Sequence, residues 1–479
     1  MRGTYLMKKI QLIFPPNDDK YKGLRSGYTS FPPPSGLEIL ASFIERKFPD
    51  VQIQIFDGCV QTIDEISSLL NADLIGISDW FTNHRNAIRL AKASKKYNPS
   101  SQVVLGGPNA SNLARRILSR HREVDFVVHG DGEMAILGLL KGIPFQQIPN
   151  LWYRNINGEV VFSKQYCVEL DSLDVFDFRH VFKSDLGKYR NYKYDECSLG
   201  LTPVPISSIR GCFKAERQGP CIYCSMPERK LRVMNPELAW RQIQHLNSLY
   251  DIRYFFETGD SFVAGDYPEK FLKAKPPGLN VFFRNYATPD SLNVENISIS
   301  KELGVVEIFI GIETIDSKVL HQANKAYDTN VIENKIHLLE QKGIRVFLPF
   351  MFGLPGETYK SVRESSIFAK YLIKKYRNIQ RVLFSLALPL AGTTWFSTLI
   401  RDLDLVSEYN EHGKRSLISD DDIEYERLFL LSFKRLCHVS FTEVYNAITT
   451  QISGFPKDRI GSFGGLEHRI FRLANELRL

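Results

Sequence analysis

Residues 205–226 read PISSIRGCFKAERQGPCIYCSM: a strand-like apolar run, then three cysteines, Cys212, Cys221 and Cys224, spaced C-x8-C-x2-C. Three thiolates on one loop can bind three irons of a four-iron, four-sulfur (4Fe-4S) cluster and leave the fourth iron open to a further ligand. Structural zinc is the competing reading. It prefers four closed protein ligands, and with no second paired motif in the chain only Cys197 is at hand to complete the set. Unligated loop cysteines are the third.

Downstream of the cysteines, five further strand-like runs alternate with helical segments: IRYFFE (252–257), NVFFRNYA (280–287), VVEIFIGIE (305–313), IRVFLPFMFG (344–353) and RVLFSLALP (381–389). Together with the run at 205 they make six strand-helix units, a partial βα barrel in which functional residues gather at the carboxyl ends of the strands. Upstream, short apolar runs at 9–14, 51–57, 73–78, 102–107 and 125–130 also alternate with helical stretches, as in a doubly wound parallel sheet. A hairpin with an Asn157-Gly158 turn follows, then a polar segment around 170–182 that reads as a linker.

The remaining composition narrows the class. A chain of 479 residues holds several cores, and 43% hydrophobic with 24% charged residues describes a folded, non-fibrous protein. The net charge of +7 is spread among interleaved acids and bases, so no nucleic-acid partner is expected. No run is apolar enough to span a membrane, and the segment MRGTYLMKKIQLIF has no secretory core, so a cytoplasmic protein is expected. Seven unevenly placed cysteines argue against a disulfide framework.

LIFPP, PPPSGLEILASFIE, VVLGGPNAS and DFVVHGDGE, with the cysteine triplet, resemble the cobalamin-dependent radical S-adenosylmethionine (SAM) enzymes over residues 8–395. The family's usual cluster spacing is C-x3-C-x2-C. The longer first gap costs only about 0.9 kcal/mol of extra loop closure, small beside iron-thiolate bonding. The resemblance implies an α/β chain: a Rossmann-like cobalamin-binding domain (1–148), a hairpin and linker (149–200), a partial (βα)6 radical SAM barrel (201–395) and a mainly helical, substrate-shaping region (396–479).

It further implies a 4Fe-4S cluster on Cys212, Cys221 and Cys224. SAM is expected against Tyr223, Glu257, Arg284, Glu313 and Gly353, with Asp260 and Ser261 beside Glu257. Glu257 would take the SAM amino group and Arg284 its carboxylate; Gly353 would let backbone approach the adenine. Cobalamin is expected against Pro15, Ser78, Trp80, Gly106, Gly107, Gly130 and Glu133 at the strand ends.

The Asp-x-His-x-x-Gly loop that supplies a cobalt-ligating imidazole in many cobalamin domains is missing after the first strand. Trp80 is then either a packed aromatic or a shield under cobalt, and His84 either a solvated or capping residue or a contact to that face. The implied reaction is C-methylation of a small-molecule or peptide substrate, with an external one-electron reductant of the flavodoxin or ferredoxin type. Rearrangement or cyclisation without methyl transfer is the alternative within the family. An iron-sulfur electron-transfer or regulatory protein is the non-enzyme alternative.

Overall fold

A computed structural model describes residues 7–19, 21, 33–173, 176–181, 204–259, 262–263, 265–413, 415–437, 440–453, 459–461 and 465–477. Cys197, Asp260 and Ser261 lie outside the described residues.

The five upstream runs form β1 (Lys9–Phe14), β2 (Gln52–Asp57), β3 (Leu74–Ser78), β4 (Gln102–Gly106) and β5 (Phe126–Val128), all parallel and ordered 2-1-3-4-5. Helices pack against the sheet, and the central strands β3 (LIGIS) and β4 (QVVLG) are buried along most of their length. The strand order reverses between β1 and β3, the crevice where such sheets take ligands.

The hairpin, β6 (Leu151–Arg154) and β7 (Val160–Phe162), pairs antiparallel to β5 and so extends this sheet instead of standing apart in a linker. The segment after it is not polar throughout either. Phe176 and Phe178 are buried, and the Phe176 backbone exchanges hydrogen bonds with the Gln242 side chain at 2.7 and 2.6 Å.

The second sheet holds all six expected strands, β8 (Val204–Ile206), β11 (Tyr254–Glu257), β12 (Phe282–Ala287), β13 (Val305–Ile310), β14 (Arg345–Phe352) and β15 (Ile379–Leu386), in parallel order. A short seventh, β16 (Ile460–Gly461), pairs with β15 at the far edge. The terminal strands β8 and β16 do not pair, so the barrel stays open. Local signals start and stop its helices: Asn235 caps the helix Pro236–Tyr250 through the Glu237 N–H, and Gly304 in the left-handed region ends Val294–Leu303.

Between β8 and β11 the cysteine loop leaves and returns through a two-stranded ribbon, β9 (Ile209–Arg210) against β10 (Arg232–Val233). The C-terminal helix Tyr425–Leu436 packs against the end of β14, where Phe429 meets Gly353. No described helix is long and apolar enough to cross a membrane.

Candidate functional site: the cysteine loop and the carboxyl edge of the first sheet

The long gap between the first two cysteines is a helix, Phe213–Gln218, with Cys212 at its N-cap. Arg217 stacks on Phe213, 4.0 Å from its ring centre, and Lys214 Nζ folds back to donate to Gly219 O at 2.9 Å. Glu216 and Arg217 are exposed and Lys214 is half-buried. Asn324 Nδ2 latches this insertion by donating to Gln218, Gly219 and Pro220 carbonyls, and Ile222 N donates to Ala323 O at 3.1 Å. The loop is thereby tied to the segment that follows β13. None of the six described cysteines is in a disulfide.

A cavity of about 500 Å³ opens beside Cys212, walled by Phe213 and Lys214, by Tyr286–Thr288 at the end of β12, and by Lys325–Tyr327. Lys325 pairs with Glu313, whose backbone sits in the left-handed region at φ 61°. Burial works against the Lys325 charge, but Glu313 and the thiols of Cys221 and Cys212 outweigh it and raise its pKa. Burial also pushes up the Cys221 thiol, with Lys325 and Lys214 pulling the other way. Tyr223 is raised well above the usual phenol range by burial, with Glu313 and Cys221 adding to the effect. Tyr223, Glu313 and the cysteines thus lie together. Lys325 joins them unannounced, because nothing in its local sequence marks it.

At the carboxyl edge of the first sheet, Pro15 is buried with its carbonyl accepting from Asn83 Nδ2, Ser78 ends β3, and Gly106 O accepts from Asp79 N at 2.6 Å. Gly107 heads the helix Pro108–Arg120. That helix reaches the cysteine loop: Asn112 Nδ2 donates to Ser225 O at 2.8 Å, one residue past Cys224.

Family models match the chain twice, a B12 binding domain over residues 22–140 and the radical SAM superfamily over residues 206–369. The chain is a cobalamin-dependent radical SAM enzyme. It is 24% identical over 422 residues, 84% of this chain and 86% of the relative, to the uncharacterized methyltransferase PH0819 of Pyrococcus horikoshii. Its fold is similar to that of the radical SAM methyltransferase TsrM from Kitasatospora setae, solved with cobalamin and a 4Fe-4S cluster (TM-score 0.63, 15% identity, 85% of this chain and 76% of that one). It is similar also to the cobalamin-dependent SAM radical enzyme OxsB, solved with aqua-cobalamin and SAM (TM-score 0.68, 14% identity, 99% and 71%).

The donor chemistry of this radical SAM enzyme fits its cofactors. Among the described residues, no three His, Cys, Asp or Glu side chains converge on a single metal position. A four-iron cluster asks for something else, one thiolate per iron, and three half-exposed thiols beside two lysines and an open cavity meet that need. For cobalamin, Gly130 at φ 72° leaves empty the space a Cβ would occupy, with nothing within 4 Å. Glu133 Oε2 is buried without a hydrogen-bond partner and suits an amide N–H of a corrin side chain. Trp80 is 41% exposed.

Four expected contacts have other occupations. Arg284 lies inside β12, 1% exposed, with its guanidinium on Glu307 (Nε–Oε2 2.8 Å, Nη2–Oε2 2.6 Å) and against the rings of Phe309 and Phe347; it serves the barrel core, not a SAM carboxylate. Glu257 is fully buried, accepting from Ser208 N (3.1 Å), Ser208 Oγ and Gly259 N (2.9 Å), so both oxygens are engaged. Burial raises its pKa to about 7 against the pull of those bonds. At Gly353 (φ 87°) a Cβ would lie 2.3 Å from Phe429, so the C-terminal helix accounts for the glycine. His84 is buried with both ring nitrogens on carboxylates, Asp79 and Asp421, which leaves neither for cobalt.

Proposed function

We propose that this enzyme is a C-methyltransferase acting on a small-molecule or peptide substrate, reduced by an external flavodoxin- or ferredoxin-type donor in the cytoplasm. The observation that carries the reading is the Asn112–Ser225 contact, which sets the corrin-binding edge directly against the cysteine loop. When bound, the reduced cluster supplies the electron that cleaves SAM, and cobalamin supplies a methyl group.

The chain's own residues do the rest. Cys212, Cys221 and Cys224 hold the cluster, and Tyr223, Glu313 and Lys325 line the SAM side of the loop. Gly130 and Glu133 would receive the corrin, with Pro15, Ser78, Gly106 and Gly107 shaping the edge around it, and Trp80 would shield the bound cofactor from water.

Anaerobically reconstituted protein supplied with cobalamin, SAM, reductant and candidate substrates tests the reading. The expected products are S-adenosylhomocysteine, 5′-deoxyadenosine and a substrate heavier by one methyl group. A converted substrate of unchanged carbon count, without S-adenosylhomocysteine, assigns rearrangement or cyclisation instead.

A further inference from the structure

The cysteine loop enters and leaves through β9 and β10, and one arginine on each strand faces the other in register, Arg210 opposite Arg232. Both reach out of the radical SAM domain and grip the turn after β5. Arg210 places Nη1 on Asp131 Oδ1 (2.6 Å) and Nη2 on Glu133 Oε1 (2.8 Å); Arg232 places Nη1 on Asp131 Oδ2 (2.8 Å) and Nη2 on Glu228 Oε2 (2.8 Å). The turn is braced from behind, with Val168 N donating to Asp131 Oδ2 and Asn150 Nδ2 to Asp131 O. The ribbon is equally stiff: at Gly211 (φ 85°) a Cβ would meet Lys230 O at 2.0 Å, so entry and exit strands touch. Cys212 is the next residue.

We propose that Arg210, Arg232 and Asp131 form a positioning clamp that couples corrin occupancy of the B12-binding domain to SAM binding at the cluster. The clamped turn is the same one that carries Gly130 and Glu133. A guanidinium bridging two carboxylates holds direction as well as distance, and with these groups largely buried the turn does not shift without moving the ribbon or unpairing a charge. Cobalamin that orders the turn therefore orders the strand leading to Cys212. The coupling is a linkage between two binding sites and is reciprocal.

The test uses cluster-loaded protein in its oxidised state and equilibrium dialysis of radiolabelled SAM, with and without saturating hydroxocobalamin. In the wild type, hydroxocobalamin tightens SAM binding by about fivefold or more, and SAM tightens hydroxocobalamin binding by the same factor. In Arg210→Gln and Asp131→Asn that factor falls to near one, while iron content and cobalamin-free SAM affinity stay at wild-type values. A wild-type factor near one, or variants that keep the wild-type factor, overturns the proposal. Failure of both variants to load the cluster overturns it too, since the arginines then serve only the fold of the loop. None of these outcomes depends on methyl transfer, so the clamp and the proposed reaction stand or fall separately.

Discussion

His84 Nε2 and Asp421 Oδ2 lie 3.0 Å apart across 337 positions of sequence, joining the first helix after β3 to the C-terminal region. His121 shares the same Asp421 oxygen at 2.7 Å, and Arg120 pairs with both Asp420 and Asp421. This is how the C-terminal region docks on the B12-binding domain.

Burial opposes the His84 charge, but Asp79 and Asp421 prevail and raise its pKa to about 10, while Asp421 is held far below the usual carboxylate range by His121 and His84 against its own burial. A raised histidine contributes fully below its unfolded value of about 6.5 and loses that contribution as pH rises to 10; a depressed aspartate contributes above about 4 and loses it as pH falls. The docking is therefore strongest between about pH 4 and 6.5. His84→Ala is expected to destabilise the protein by about 3–5 kcal/mol and to flatten the alkaline limb of stability against pH in denaturant titrations.

Arg284→Met is expected to cost about 3–5 kcal/mol in unfolding free energy, because among the described residues Glu307 is left with Arg345 and the Tyr254 hydroxyl as polar partners. SAM affinity at conditions where the variant is folded stays unchanged. A selective loss of SAM binding with normal stability would return Arg284 to the cofactor site.

Replacing Cys221 with alanine is expected to remove most cluster iron and its visible absorbance, while hydroxocobalamin still binds, since the residues at the carboxyl edge of the first sheet are unchanged. Iron assays and absorbance spectra of anaerobic protein read both.

Gly353→Ala places a methyl group into Phe429 at a left-handed backbone position. The expected loss is about 1–3 kcal/mol, seen as a lower melting temperature, with protease sensitivity increasing first in helix Tyr425–Leu436.

Trp80→Ala removes a partly buried ring, so apo stability is expected to fall by about 1–2 kcal/mol. Hydroxocobalamin affinity, followed by fluorescence or absorbance titration, is expected to fall about tenfold, the worth of burying part of an indole.

Most of the architecture was legible in the chain. Strand periodicity and capping residues are local signals, so the five parallel strands of the first sheet and the six expected strands of the second follow from runs such as QVVLGG and IRVFLPFMFG, and the helix starting at Asn235-Pro236 follows from its cap. The hairpin was visible as a hairpin; its pairing with β5 was not, because strand partnership is a long-range choice.

The site divides along the same line. By itself, the sequence determined three thiols on one loop, two sets of parallel strands and the glycine-rich strand ends of the first, since each is written within a few neighbouring residues. Only the tertiary structure decided where the charges go: Arg284 to Glu307, Glu257 to Ser208, His84 to Asp79 and Asp421, and Asp131 to a pair of arginines at the mouth of the cysteine loop. A buried charge must be paired, and its partner is whatever the folded chain brings within about 3 Å, which no local pattern records.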